Sequence, residues 1–379
     1  MHLKRLKLNN FRNLQAGYAD FPSGVAIIIG ENGAGKTNLL EAAQYACCGR
    51  SFRTSREHEM VREGSEFFRV EAELERNGNT LLRAVAFEPG QGARVASGGG
   101  PQWMPPGSVL CFSPDDLQLI KGAPASRRRF LDDAISRRIP SYRRILLDYQ
   151  KVLSQRNSFL HRARAGIVQL SDISVWDRQL AALAVKIHSA RGEHCRLLEP
   201  YFEKAYCEIA GEQAELGIVY ISQLEGAGSE EEAERRLVLA LAEGWSEDLD
   251  RLSTSIGTHR DDIEFTLSSR SLKPYGSQGE QRAAVLSLLL ADRRQGGRLE
   301  EAPLLLLDDV MSELDQDRRR RLMAALSGER ETSGRGTVQT IITAADAGLF
   351  TGEELDAAHV LEVDGGSIWG ARAGHEAQA

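Results

Sequence analysis

Gly30-Glu31-Asn32-Gly33-Ala34-Gly35-Lys36-Thr37 is an unbroken match to the pattern G-x-x-x-x-G-K-S/T. The apolar run Val25-Ala26-Ile27-Ile28-Ile29 precedes it, and Asn38-Leu39-Leu40-Glu41-Ala42 follows with helical spacing. The string therefore sits between a strand and a helix, the context in which it becomes a phosphate site. Three glycines without Cβ let successive backbone N–H groups face inward around a polyphosphate, and the helix starting near Lys36 adds its free amides and dipole. In this arrangement Gly30, Glu31, Asn32, Gly33, Ala34, Gly35, Lys36, Thr37 and Asn38 hold a nucleotide. Lys36 reaches the β- and γ-phosphates and the Thr37 hydroxyl ligates Mg2+.

At 379 residues the chain is long enough that two domains, or one domain with a large insertion, are expected. Its 42% hydrophobic and 27% charged residues are those of an ordinary globular protein. Five cysteines, Cys47, Cys48, Cys111, Cys195 and Cys207, are odd in number and lack metal-ligand spacing, so free thiols in a reducing compartment are expected, with no disulfide and no zinc. Met1-His2-Leu3-Lys4-Arg5-Leu6 alternates like a charged strand rather than a signal peptide, and no apolar stretch approaches the about 18 residues of a membrane span. A cytoplasmic protein follows.

The net charge of -7 argues weakly against nucleic acid as a partner, but its distribution does not. From Ile120 to Leu170, twelve Lys and Arg face three acidic residues, Asp132, Asp133 and Asp148. Such regional asymmetry points to phosphate contacts, with a solvated helix face as the alternative.

Along the chain, Leu3 to Leu8 alternates as an exposed or edge strand and Asn9 to Asn13 breaks it. Leu39 to Cys48 is a helix closed by Gly49. Arg50-Ser51-Phe52-Arg53-Thr54-Ser55-Arg56 is a loop with three arginines, either solvated or contacting phosphate. Phe68 to Glu75 and Leu81 to Phe87 form a hairpin across Asn77-Gly78-Asn79. Pro89 to Gly107 reads as loop, and Val109 to Phe112 as a short buried strand. Beyond it the texture becomes helical: Ala125 to Arg138, Ser141 to Ala165 after Pro140, and a third pattern after Ile173, the last two packing as an antiparallel pair. Leu216 to Ile221 is a strand, and Ser229 caps an acidic helix to Glu243. Strand texture returns at Ile263 to Leu267. The expected organisation is thus an α/β ATPase domain of residues 1–119 and 251–379, with a helical insertion, a DNA- or partner-binding arm, at 120–250.

Two further motifs complete the chemistry. Pro303-Leu304-Leu305-Leu306-Leu307-Asp308-Asp309 is an apolar run ending in two carboxylates, as expected of a buried strand that delivers acids at its C-terminal end. Asp308 would hold Mg2+ and Asp309 would orient or deprotonate the attacking water, so that Lys36, Asp308 and Asp309 are the catalytic candidates. Ser277-Gln278-Gly279-Glu280-Gln281-Arg282 opens an amphipathic helix with a hydroxyl and a glycine. Helix capping alone explains Ser277. Together with the glycine loop and Asp308, the stretch resembles the signature of ABC-type ATPases, in which Ser277 and Gly279 would face the γ-phosphate held by a second subunit. Ser312-Glu313-Leu314-Asp315 stands where that class carries its D-loop.

The segment from Pro114 to Asp132, with Arg127-Arg128-Arg129, resembles a hallmark of the bacterial RecF family over its whole length. Leu306 to Asp315, His259-Arg260-Asp261-Asp262 and Gly49 to Thr54 are similar to other stretches of the same family. The resemblance implies an ABC/SMC-like P-loop ATPase head with an inserted α-helical arm domain, which binds ATP and Mg2+ and dimerises on ATP. It further implies binding to double-stranded and gapped DNA, work with RecR and RecO in loading RecA, support of the SOS response and replication restart, slow DNA-stimulated hydrolysis, and a nucleoid-associated location. Arg127, Arg128, Arg129, Arg137, Arg138, Arg143 and Arg144 are the DNA candidates, acting on phosphates without sequence preference. Lys4, Arg5 and Lys7 form a second set, and Arg318 to Arg321 are expected to spread around a helix and pair with acids.

The chain departs from ABC relatives at three points. Ser113-Pro114-Asp115 replaces the usual glutamine after its strand, Asp309 replaces glutamate, and Gln339-Thr340-Ile341-Ile342-Thr343 ends without a switch histidine, leaving Thr343 as a candidate γ-phosphate sensor. His259 is read as a satisfied turn histidine as readily as a catalytic one. The alternatives are a transporter's nucleotide-binding subunit, a stand-alone phosphoryl-transfer enzyme and an SMC-type structural ATPase.

Overall fold

The computed structural model describes residues 2–76, 78–97, 104–105, 107–295, 302–328 and 338–369. In chain order the elements are β1 (His2–Phe11), β2 (Leu14–Asp20), β3 (Val25–Ile29), α1 (Lys36–Cys48), β4 (Phe68–Arg76), β5 (Asn79–Glu88), β6 (Gly92–Ser97) and β7 (Val109–Phe112). Next come α2 (Gln118–Lys121), α3 (Pro124–Arg138), α4 (Pro140–Arg164), α5 (Ser174–Ala210), β8 (Leu216–Ile221), α6 (Glu230–Glu243), α7 (Trp245–Arg251), β9 (Asp262–Leu267), β10 (Arg270–Ser271), α8 (Leu272–Tyr275) and α9 (Gln278–Gln295). The chain ends with β11 (Leu304–Leu307), α10 (Gln316–Gly328), β12 (Thr340–Ala344), α11 (Gly352–Ala357), β13 (His359–Asp364) and β14 (Ser367–Trp369).

Two compact units form: one from residues 1–116, 204–213 and 282–379, the other from 117–203 and 214–281. Resumed strand texture after the helical region places the expected return to the ATPase domain at 251. In the structure β9 instead pairs antiparallel with β8, giving the second unit a sheet ordered β10-β9-β8. Period-two texture reveals a strand but not its partner.

The first unit holds two sheets. One is antiparallel, ordered β2-β1-β4-β5-β6, and the other is ordered β14-β13-β3-β12-β11-β7, with the four pairings from β13 to β7 parallel and β14 antiparallel to β13. β1 is therefore an interior strand rather than an edge, flanked by β2 and β4. Its alternation reflects one face on the core, where Leu6 and Leu8 lie buried, and one face in solvent. The stretch read as loop after Pro89 contains β6, which pairs with β5. Its glycine-rich continuation at 98–103 lies outside the described residues. The parallel strands are apolar on both faces, as β11 shows with four buried leucines.

Gln339 stitches the two sheets. Its side-chain amide, 1% exposed, accepts the Leu3 N–H at 2.8 Å and donates to the Leu3 carbonyl at 2.9 Å, reproducing one step of a strand ladder. In the second unit, Pro140 sits in the first turn of α4, where its missing N–H costs nothing. Ser229 caps α6 by accepting the Glu232 N–H at 3.2 Å. The core of this unit includes a fully buried guanidinium: Arg156 donates to Asp177 at 2.7 Å and to Asp248 at 2.6 Å.

Replacing Gln339 by Met keeps its volume but leaves the Leu3 amide and carbonyl without these partners. Urea unfolding is expected to show a loss of about 2 kcal/mol or more; a loss under about 0.5 kcal/mol would contradict the stitching role.

Candidate functional site

The carboxyl ends of β3, β12 and β11 converge because these strands are neighbours in that order. After β3 the chain enters the glycine loop. Gly33 and Gly35 have φ of 83° and 119°, the region that side chains resist. At Gly30 the constraint is space, since a Cβ there would lie 2.1 Å from the Val363 carbonyl oxygen. The loop hands over directly to α1, whose N-cap is Gly35, and no side chain caps it. Its first amides therefore remain available to an anion.

A cavity of about 250 Å³ opens here, lined by Asn32, Gly33, Gly35, Lys36, Thr37 and Asn38 of the loop, with Arg53, Asp308 and Asp309 opposite. Lys36 is 8% exposed, and its ammonium donates to the carbonyls of Gly30 at 2.6 Å and Glu31 at 2.9 Å. Those two residues thus act through their backbone, while Ala34 is pinned by the Gly366 N–H donating to its carbonyl.

Thr37 and Asp308, 271 positions apart, meet: the threonine Oγ1 lies 2.9 Å from each carboxylate oxygen. Thr343 donates to the same carboxylate at 2.7 Å and accepts the Asp309 N–H at 2.9 Å. Burial raises the Asp308 pKa, while the two threonine hydroxyls oppose that shift. Thr343 is fully buried and its hydroxyl is committed to the Asp308 carboxylate and the Asp309 N–H rather than to a terminal phosphate, which corrects its reading as a sensor. Asp309 adopts φ 49° and receives a hydrogen bond from Ser312 Oγ at 2.7 Å. Among the described residues no cluster of three His, Cys, Asp or Glu could hold a metal. One hydroxyl and one carboxylate side by side instead fit the residues that would hold a Mg2+ whose remaining ligands are phosphate and water.

A polar ring braces the loop from outside, and sequence reasoning passed over most of it. Asn13 donates to the carbonyls of Gly33 and Ala34 at 3.0 and 3.2 Å, and accepts from Asn38 at 2.7 Å. Asn38 accepts from Arg53, which also reaches Glu41 at 3.3 Å. Glu41, 0% exposed, takes a two-pronged bond from Arg12 at 2.9 and 2.7 Å and another from Ser51. The break at Asn9 to Asn13 and the arginine loop at 50–56 were the visible signals, but their joint target was not.

The signature serine is exposed and caps α9: its oxygen accepts the Glu280 N–H at 3.2 Å while the Glu280 carboxylate accepts the Ser277 N–H at 2.6 Å. Its hydroxyl hydrogen stays available for an outside acceptor. Gly279 lies in the first turn of the same helix. Arg282, one turn on, pairs with Glu313 of the D-loop segment.

The arginines assigned to DNA divide. Arg127 is 3% exposed and spends its guanidinium on Asp262, at 2.7 and 2.9 Å, and on the carbonyls of Leu119, Ile120 and Gly122. Arg128 is half-buried and donates to the Asp261 carbonyl at 2.6 Å. Both readings change: the two side chains bind two hallmark stretches to each other, Arg127 with its charge met by Asp262 and Arg128 with its guanidinium turned toward a backbone carbonyl. Arg137 and Arg138 are half-buried, and Arg138 donates to the Ala134 carbonyl. Arg129, Arg143 and Arg144 are exposed. Of the weaker set, Lys4 pairs with Glu75 and Arg5 with Asp20. Arg318 and Arg320 pair with Asp315 and Asp317 as expected. His259 is satisfied, Nδ1 to the Tyr149 hydroxyl at 2.7 Å and Nε2 to the Thr254 carbonyl at 3.0 Å. Burial lowers its pKa to about 4, which keeps it neutral near pH 7.

Residues 5–151 match the family model described as an AAA domain. The chain is 34% identical over 375 residues to the DNA replication and repair protein RecF of Heliobacterium modesticaldum, spanning 97% of this chain and 99% of that one. It is 36% identical over 378 residues to the protein of the same name from Symbiobacterium thermophilum, spanning 95% and 96%. A solved structure of the recombination mediator protein RecF with ATP superposes with a TM-score of 0.83 at 30% identity, over 98% of this chain and 97% of the other. An Smc head domain from Pyrococcus furiosus gives 0.58 at 14% identity over 97% and 95%, a likeness of fold. The fold is that of an ABC/SMC-like P-loop ATPase head. No helix among the described residues is long and apolar enough to cross a membrane.

Arg127→Ala strands the Asp262 carboxylate and is expected to cost about 3 kcal/mol in denaturant unfolding, whereas Arg143→Ala should stay within about 0.5 kcal/mol. Equal effects would undo the division between inward and outward arginines.

Proposed function

Because this chain belongs to the RecF family, we propose that it is an ATP-gated DNA-binding protein of replication and recombinational repair. It closes as a dimer over bound ATP and in that state holds double-stranded DNA at single-strand gaps. The observation that carries the reading is the meeting of Thr37 with Asp308 across 271 positions, at the mouth of a loop whose lysine and free helix amides face the same cavity. A cradle for a triphosphate and the protein's half of a Mg2+ shell have no use apart from each other.

The loop amides and Lys36 bind and orient the phosphates, and Thr37 and Asp308 would hold Mg2+. The cation, when bound, neutralises charge that develops between phosphates. Asp309 orients the attacking water. Its short carboxylate, tied to Ser312, favours slow turnover suited to a switch rather than a metabolic ATPase. DNA stimulation of that turnover belongs to the same reading.

A second copy completes the site. Ser277 heads the 18-residue helix α9, is exposed, and keeps one hydrogen to donate, which is the requirement for capping a phosphate presented by another subunit. Arg129, Arg143 and Arg144 supply sequence-independent phosphate contacts. The solved relative is described as the recombination mediator of the RecFOR pathway, which supports RecO and RecR as partners in loading RecA, with a supporting part in the SOS response.

Sedimentation of the wild-type chain is expected to show dimers with ATP and Mg2+ and monomers without, and Ser277→Arg to remain monomeric with nucleotide still bound. A species indifferent to both nucleotide and substitution would overturn the shared site. Replacing Arg129, Arg143 and Arg144 together with Ala should flatten the slope of log K for DNA against log salt by about 2; an unchanged slope removes them from the interface.

A further inference from the structure

The two carboxylate residues that end β11 are joined through a third side chain, on the neighbouring strand. β11 and β12 run parallel with Leu307 opposite Ile342, so one step further brings Thr343 beside Asp308. A buried β-branched residue in a central strand needs no explanation beyond packing, and valine would serve that purpose. The hydroxyl does need one. It donates to Asp308 Oδ1 at 2.7 Å and accepts the Asp309 N–H at 2.9 Å. A backbone amide only donates, so the hydroxyl hydrogen is directed at Asp308 and both of its bonds have a fixed sense. Asp309 meanwhile sits at φ 49°, a conformation uncommon outside glycine, with its carboxylate held by Ser312.

We propose that Thr343 is a positioning residue for phosphoryl transfer, tying the cation-side carboxylate of Asp308 to the backbone of the water-side Asp309 so that cation binding and the aim of Asp309 become one event. The proposal rests on the ATPase reading above and deepens it. Without the hydroxyl, Asp308 keeps only Thr37 as a side-chain donor, and the Asp309 N–H loses the acceptor that holds its left-handed turn. Neither change touches the glycine loop, so nucleotide affinity in the absence of a cation should not move. What should move is the response to the cation and the rate of the chemical step.

The test uses the full chain with ATP, taking Mn2+ as a spectroscopic stand-in for Mg2+. Thr343→Val preserves shape and branching. Its Mn2+ affinity in the nucleotide complex, read by paramagnetic resonance of free Mn2+, is expected to fall about fivefold, and kcat about tenfold or more, with KM for ATP changed less than about threefold. Thr343→Ser should restore both to within about twofold of wild type. Should Thr343→Val fail to fold, Thr343→Cys, with its weak donor, carries the same expectation in milder form. A valine or cysteine variant with wild-type Mn2+ affinity and kcat, differing only in thermal midpoint, overturns the relay. Wild-type protein that neither binds ATP in a cation-dependent way nor hydrolyses it overturns instead the ATPase reading on which the relay stands.

Discussion

A carboxylate taken out of water must be supplied with donors, and the first unit is arranged around meeting that demand at Asp308. The group is 5% exposed and receives hydroxyls from Thr37 and Thr343, which belong to segments far from it in sequence. The order of the strands delivers all three. β12 lies between β3 and β11, the three run parallel, and their carboxyl ends are level. Parallel strands buried on both faces set that level through an apolar core, so the core's contribution to function is the alignment of chain ends. Burial that raises the Asp308 pKa also makes the site receptive to a cation, which would replace the missing solvation.

The glycine loop needs a second kind of support. Glycines permit its conformation without enforcing it. Enforcement comes from Asn13, Asn38, Arg53, Glu41 and Arg12, joined by hydrogen bonds in a circuit that the chain itself closes between Arg12 and Asn13 and that includes a fully buried glutamate. A buried ion pair contributes little net stability, because desolvation offsets the attraction, but removing one member leaves the other uncompensated. Such a circuit suits a loop that must keep one shape while empty and while loaded. It also places Arg53 on the cavity wall, where a change in phosphate content would be felt first.

The second unit follows a similar logic with a different outcome. Its arginine-rich segment looks, as a string, like a surface for phosphate. Part of it turns inward: Arg127 and Arg128 close on Asp262 and the Asp261 carbonyl, and the Asp132 of the same segment is taken by Arg191. The stretches that resemble the family most strongly here are thus the ones that hold the unit together. Of the outward residues, Arg129 shares α3 with Arg127 and Arg128 and is set apart from them by helical periodicity, while Arg143 and Arg144 lie on α4.

The residues alone determined the nucleotide site, because a strand, a glycine loop, a lysine and a threonine are adjacent in the chain and their chemistry is local. They also determined Asp308 as its partner, since a fully apolar run ending in acids has few other uses. Helix limits at Gly49 and Pro140 were legible for the same local reason, as were the free cysteines. What only the tertiary structure decided was everything resting on pairing at long range. It moved β9 into the second unit, set β1 inside its sheet, joined Thr343 to the Asp308 carboxylate and the Asp309 backbone, and put Asn13 under the loop. It also sorted inward arginines from outward ones. Charge, period and composition are properties of a position and its near neighbours, whereas a hydrogen-bond partner 20 or 271 positions away is chosen by the packing of the whole unit.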